Sequence, residues 1–272
     1  MQLQMTMRKN QLVVAFFQQD IAWENPSENY ARVESAFADA LRGVAADILV
    51  APETFSTGFS DRMALLAEPS EGESLSFARS MALRHDALFV ASWPVREADG
   101  RIFNRLHLVR PDGSYDCYDK AHTFRMSSEA SQLDRGSSKV VVSWRGWNIR
   151  PAVCYDLRFP KWLRNEPTPD AESPLAYDLM LLCANWPASR SQTWTTLLQA
   201  RAIENEAYVL GVNRVGVDGL DIAYSGNSAA FDFRGRTLQE CAPSSPQVAL
   251  ASLDLASLDN FRHHWPFYLD FD

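Results

Sequence analysis

"QLVVAFFQQDIAWENPSENYARVESAFADALRGVAADILVAPE", residues 11–53, holds one complete structural unit. Gln11 to Gln19 is dense in β-branched and aromatic residues and reads as a buried strand. Behind it Tyr30, Val33, Phe37 and Leu41 recur at helical spacing, with Asn25 or Ser27 placed to cap the first turn. "ADILVAPE" then gives a short apolar strand that runs out at Pro52 and Glu53. Strand, helix, strand in this order predicts a parallel pair with the helix crossing over.

The same alternation continues outward. "SLSFARSMALRHD" predicts a helix and "ALFVASWPV" a strand. "GRIFNRLHLVRPDGSYDCYDK" predicts two strands around a turn at Pro111 to Gly113, and "SKVVVSWRGWNIRPAVCYD" repeats that hairpin form around Arg145-Gly146. "YDLMLLCANWP" is another strand. "SQTWTTLLQARAIENEAYVLGVNRVG" is a long helix leading into a strand, and "GNSAAFDFRGRTLQEC" and "VALASLDL" supply more strands. The polar, proline-rich "NEPTPDAESP" (Asn165 to Pro174) reads as a surface loop. With no linker between halves, no repeat and no low-complexity tract, the expectation is one α/β domain over residues 1–272, with mixed sheets inside and helices outside.

A formal net charge of −8 argues against nucleic acid or an anionic membrane as the main partner. No stretch approaches the roughly 18 apolar residues of a membrane span. "MQLQMTMRKN" lacks an apolar core before a small-residue cleavage site, so a cytoplasmic protein is expected. Cys117, Cys154, Cys183 and Cys241 lack the paired spacing of a zinc site or a disulfide scaffold, which suits reduced thiols. His85, His107 and His122 are scattered and "RHHWP" has no acids clustered about it, so no metal and no cofactor are expected.

Four predicted strand ends carry unusual residues: Glu53 in "VAPETF", Lys120 in "YDKAHTF", Cys154 in "VCYD", and Asn185 with Trp186 in "CANWP". In α/β sheets, ligand sites gather where strands give way to loops. A thiol beside a carboxylate and an ammonium suits acyl transfer. Glu53 would take the thiol proton and return it to a leaving amine. Lys120 and the backbone N–H of Tyr155 would hold a developing oxyanion. Each residue alone also has a plainer reading: Cys154 as a small core hydrophobe, Glu53 as a cap, Lys120 as a partner of Asp119, Cys183 as core.

Three segments, "PETFSTGFS", "YDKAHTFRMSSE" and "VCYDLRFP", resemble the signature segments of the nitrilase superfamily, the carbon–nitrogen hydrolases, and stand in that family's order. "CANWP" and "RAIENEAYVLGVNRVG" are similar to further segments, so the likeness covers nearly the whole chain. The resemblance implies an αββα sandwich, four-layer on dimerisation, with Glu53 as general base, Lys120 as oxyanion stabiliser and Cys154 as nucleophile. It also implies a second glutamate, which matches Glu129 in "FRMSSE"; the histidine that often follows it is missing from "SSEASQLDRG". "CYDLRFP" and "ANWPASRSQTW" resemble the omega-amidase branch, whose members hydrolyse the terminal amide of 2-oxoglutaramate or 2-oxosuccinamate. A homodimer is implied too, and the aromatic tail "NFRHHWPFYLDFD" either packs on its own domain or covers a partner subunit.

Such a substrate ends in a carboxylate, which wants a cation or several donors. Arg158 and Arg190 lie near strand ends, and Tyr155, Thr54, Ser56 and Thr57 can donate. Arg158 has the alternative of anchoring its loop by pairing with an acid. Phe55, Phe59 and Trp186 wall the pocket or fill core. A nitrilase, an N-carbamoyl amidase, another amidase of the same fold or a binding protein with a dead site are the rivals. A Cys–His hydrolase using His122, two residues past Lys120 and so pointing the same way along a strand, is a further one.

Overall fold

The computed structural model describes residues 8–168 and 173–271. Its first strand, Gln11–Gln18, pairs in parallel with Ile48–Val50 and is joined to it by the helix Pro26–Ala40. Asn25, not Ser27, caps that helix, its side chain accepting from the Glu28 N–H at 3.3 Å. Val33 and Phe37 are fully buried on the helix's inner face. Along the first strand, Leu12, Val14 and Phe16 enter one core while Ala15 and Phe17 enter another. A strand covered on both faces needs no polar alternation, and this is why it reads as a continuous apolar run.

Two sheets make the middle of the molecule. The first runs in the order Gln247–Asp254, Gln11–Gln18, Ile48–Val50, Leu88–Arg96, Ile102–Val109, Tyr115–Asp119. The second runs Thr237–Glu240, Ala229–Phe231, Tyr208–Asn213, Leu179–Ala184, Trp147–Val153, Val142–Trp144. Helices Pro26–Ala40 and Glu73–His85 cover the first sheet through Val33, Phe37, Leu75, Ala78 and Met81. Helix Ser191–Glu204 covers the second. It comes close because Gly211 has no side chain: a Cβ there would lie 2.4 Å from Leu198 and 2.8 Å from Trp194. Helix, sheet, sheet and helix are thus all supplied by one chain, and the four layers require no second copy.

The hairpin at Arg145-Gly146 closes on the pair Trp144–Trp147, with both turn residues at positive φ (49° and 82°), as a two-residue turn demands. The loop expected over Asn165–Pro174 is pinned at its start, where fully buried Asn165 bonds Tyr177 and Asn205, while residues 169–172 lie outside the described residues. In the tail, Phe261 and Arg262 are buried but Trp265, Phe267 and Leu269 are exposed. Among the described residues no helix is long and apolar enough to cross a membrane.

Candidate active site

The strands Ile48–Val50, Tyr115–Asp119, Trp147–Val153 and Leu179–Ala184 end together, and the residues just past their ends meet. Lys120 Nζ donates to Glu53 Oε1 at 2.8 Å and to both oxygens of Glu129 at 2.9 and 3.0 Å. All three side chains are fully buried. The other Glu53 oxygen accepts the Asn185 N–H at 2.7 Å, and Glu129 Oε2 accepts the Phe124 N–H at 2.6 Å. Burial by itself would push the Lys120 ammonium down, but Glu129 and Glu53 outweigh it and hold it well above the usual lysine range. Burial pushes the Glu129 carboxyl up; Lys120 opposes that shift and Glu53 adds to it. Two carboxylates facing one ammonium leave an excess negative charge in a dry place, so a proton is easily taken up there.

Cys154 follows directly on its strand at φ 45°, in the left-handed region that a residue with a Cβ enters at a cost of about 1–2 kcal/mol. Its Sγ lies 3.8 Å from the Asn185 carbonyl oxygen. Burial pushes the thiol well above its ordinary range; Glu53 and Glu129 add to this, against Lys120. Burial and the two acids thus favour the protonated thiol.

What holds the elbow is Asp156, and sequence reading passed over it. It is fully buried. One oxygen accepts the Tyr118 hydroxyl at 2.8 Å and the Val153 N–H at 3.1 Å; the other accepts the His122 N–H at 3.0 Å and meets His122 Nδ1 at 2.7 Å. Tyr118 and His122 flank Lys120, so this carboxylate ties the thiol's turn to the lysine's segment. The anchoring part foreseen for Arg158 thus belongs to Asp156, because an arginine at the fourth place is thrown outward by the 3-10 turn Cys154–Arg158. His122 does not point with Lys120. The strand stops at Asp119, and the imidazole is held between Asp156 and the ring of Phe159, stacked at 3.7 Å. Asp156→Asn should destabilise the fold by about 2–3 kcal/mol in urea unfolding, because it turns an N–H₂ toward a donor that now has nothing to accept it. An unchanged midpoint would show that the elbow stands without this anchor.

Above the thiol opens a cleft of about 500 Å³, lined among others by Phe59, Tyr155, Arg158, Trp186, Arg190 and Tyr224. Arg158 is exposed and lies 5.1 Å over the Trp186 ring, and Arg190 lies 5.6 Å over Phe124. Among the described residues neither guanidinium has a carboxylate within ion-pair distance, whereas Asp119, the plain partner suggested for Lys120, pairs with Arg105 instead. Trp186 is buried and joins the two arginines, its indole N–H donating to the Arg190 carbonyl at 2.9 Å. The small donors turn away from the cleft. Thr54 Oγ1 accepts from Asn185, Thr57 donates to the Gly58 carbonyl, and buried Ser56 does not line it. Phe55 is core, packed edge-on against Trp93 and Phe89, and Cys183 is fully buried in its strand. Asn104 was also missed: its amide reaches Glu53 at 2.8 Å and Glu129 at 3.2 Å. Its only signal was an asparagine in mid-strand, a place that residue seldom takes. Among the described residues, no group of three or more His, Cys, Asp or Glu side chains is placed to hold a metal ion.

The chain is 40% identical to an omega-amidase, YafV, of Yersinia enterocolitica, over 96% of this chain and 97% of that protein. It is 29% identical to a 2-oxoglutaramate amidase of Bacillus subtilis over 94% and 96%. A crystal structure of a CN-hydrolase superfamily protein from Xanthomonas campestris, with an arsenic adduct in its active site, superposes with a TM-score of 0.91 at 38% identity, covering 97% of this chain and 98% of that one. The carbon-nitrogen hydrolase family model matches residues 13–263. By fold and by sequence, this chain belongs to the carbon–nitrogen hydrolase family and is an amidase-type hydrolase.

Proposed function

We propose that the protein hydrolyses the terminal amide of a small omega-amido dicarboxylate, 2-oxoglutaramate or 2-oxosuccinamate, to the acid and ammonia through a cysteine thioester. The observation that carries this reading is a buried thiol facing a lysine–carboxylate cluster at the floor of a cleft whose walls hold two guanidiniums with no acidic partner among the described residues. Omega-amidase and 2-oxoglutaramate amidase relatives support the substrate class.

In this mechanism Cys154 Sγ attacks the amide carbon as Glu53 takes the thiol proton. The ammonium of Lys120 and the N–H of Tyr155 hold the oxyanion of the tetrahedral intermediate. Collapse breaks the C–N bond, and Glu53 returns its proton to the departing nitrogen, which leaves as ammonia. Water then attacks the thioester, Glu53 takes its proton, and the acid departs with the thiol restored. Glu129 keeps Lys120 aimed throughout. The far carboxylate of the substrate meets Arg158 and Arg190, which stand ready on Trp186 and Phe124.

The test is ammonia release from 2-oxoglutaramate and 2-oxosuccinamate beside glutamine, asparagine, a neutral aliphatic amide, an N-carbamoyl amino acid and a simple nitrile. The two keto amides should be turned over fastest. Arg158→Met and Arg190→Met should each raise KM for them about 10–100-fold, the worth of one charge-assisted hydrogen bond, with kcat and the neutral amide little affected. Preference for the nitrile, or carbon dioxide from the carbamoyl compound, would overturn the substrate assignment.

A further inference from the structure

Asn104 sits in the strand Ile102–Val109, 1% exposed, with its amide between the two carboxylates of the site. Its Nδ2 donates to Glu53 Oε1 at 2.8 Å and to Glu129 Oε1 at 3.2 Å. These are the same two oxygens that Lys120 Nζ approaches, at 2.8 and 2.9 Å. Ammonium and amide therefore close a ring of four hydrogen bonds with one oxygen of each acid. The backbone takes part as well: the Lys120 N–H donates to the Asn104 carbonyl at 3.0 Å.

The amide can face only one way. Reversed, it would set Oδ1 against two carboxylate oxygens; as it stands, both N–H bonds are used and Oδ1 is left buried without a partner among the described residues. An orphaned acceptor is the disfavoured half of this arrangement, and it is tolerated where the donors are needed. They are needed because two acids share one buried ammonium, and an amide adds donors without adding charge.

We propose that Asn104 is a positioning residue that bridges Glu53 and Glu129 beside Lys120 and so keeps Glu53 able to accept the Cys154 proton. This rests on the reading of Cys154 as nucleophile and Glu53 as its base. Among the described residues, the charged and titratable groups facing the acid pair are Lys120, from the segment after Tyr115–Asp119, Cys154, from its elbow, and Cys183, from the strand Leu179–Ala184. The other groups that meet it are uncharged N–H donors of Asn185 and Phe124. Without the amide, the negative forms of both acids lose a donor, so the pair keeps a proton to higher pH.

The readout is alkylation of Cys154 by iodoacetamide against pH, followed by mass spectrometry of the Cys154 peptide in the whole protein, which needs no knowledge of the substrate. In Asn104→Leu, which keeps the branched shape and removes the donors, the acid limb should move up by about one pH unit or more. Should that variant not fold, near-isosteric Asn104→Asp carries the test. It sets a third acid in the ring and should move the limb at least as far. A folded variant of either kind whose profile superimposes on wild type overturns the role of Asn104 alone. If Glu53→Gln also leaves the wild-type profile unchanged, Glu53 is not the base, and both this role and the reading beneath it fall.

Discussion

Cys154→Ala is expected to lower amide hydrolysis by about 10⁴-fold or more while leaving the protein folded. The proposed chemistry runs through a bond to this sulfur, and no other described thiol can stand in for it. Cys183 is fully buried within its strand, and neither Cys117 nor Cys241 lines the cleft. The fold should hardly notice the change. An alanine accepts the same φ of 45° about as poorly as the cysteine does, so no strain is added. The turn's own anchor, Asp156, keeps its four contacts. Ammonia release and urea unfolding, measured side by side, check both halves. Hydroxylamine added to wild type should divert the acyl group to a hydroxamate, and in the variant none should form. A variant retaining more than about one-hundredth of the turnover would remove the thioester from the mechanism.

Local order was legible in the sequence wherever the physics is local. The parallel crossover of residues 11–53 follows from two apolar runs and one helical repeat, and the Arg145-Gly146 hairpin from the needs of a tight turn. The four strand ends named Glu53, Lys120, Cys154 and Asn185 as candidates for one place. The resemblance of three segments added Glu129, which spacing alone would not have picked out. What stayed hidden was decided at long range. Asn104 takes its meaning from Glu53, 51 residues away, and Asp156 from Tyr118, 38 residues away. Nothing in "IFNRLH" or "CYDLR" announces these partners. His122 misled for the complementary reason: the alternation argument assumed a strand that ends one residue before Lys120. Thr54, Ser56 and Thr57 looked like substrate donors because sequence cannot tell a hydroxyl facing a cleft from one turned inward.

Lys120→Met should damage the molecule twice over, because it acts on stability and rate together. It leaves two fully buried carboxyl groups without their cation. Breaking a buried ion pair from one side costs roughly 3–5 kcal/mol. In the proposed mechanism, loss of the oxyanion's cation should lower kcat at least about 10²–10³-fold, with the misplaced base adding to that. The stability loss has a pH signature. Without the ammonium the opposing effect on Glu129 vanishes, and burial with the neighbouring Glu53 raises the folded-state carboxyl further above its unfolded value. A raised carboxyl contributes its stability below the unfolded pKa and loses it as pH climbs through the folded one. The gap between wild type and Lys120→Met in urea unfolding should therefore be smaller at pH 5 than at pH 8. A gap of the same size at both values would mean that protonation does not relieve the pair. No gap at either would mean that the ammonium adds nothing net to the stability of the fold.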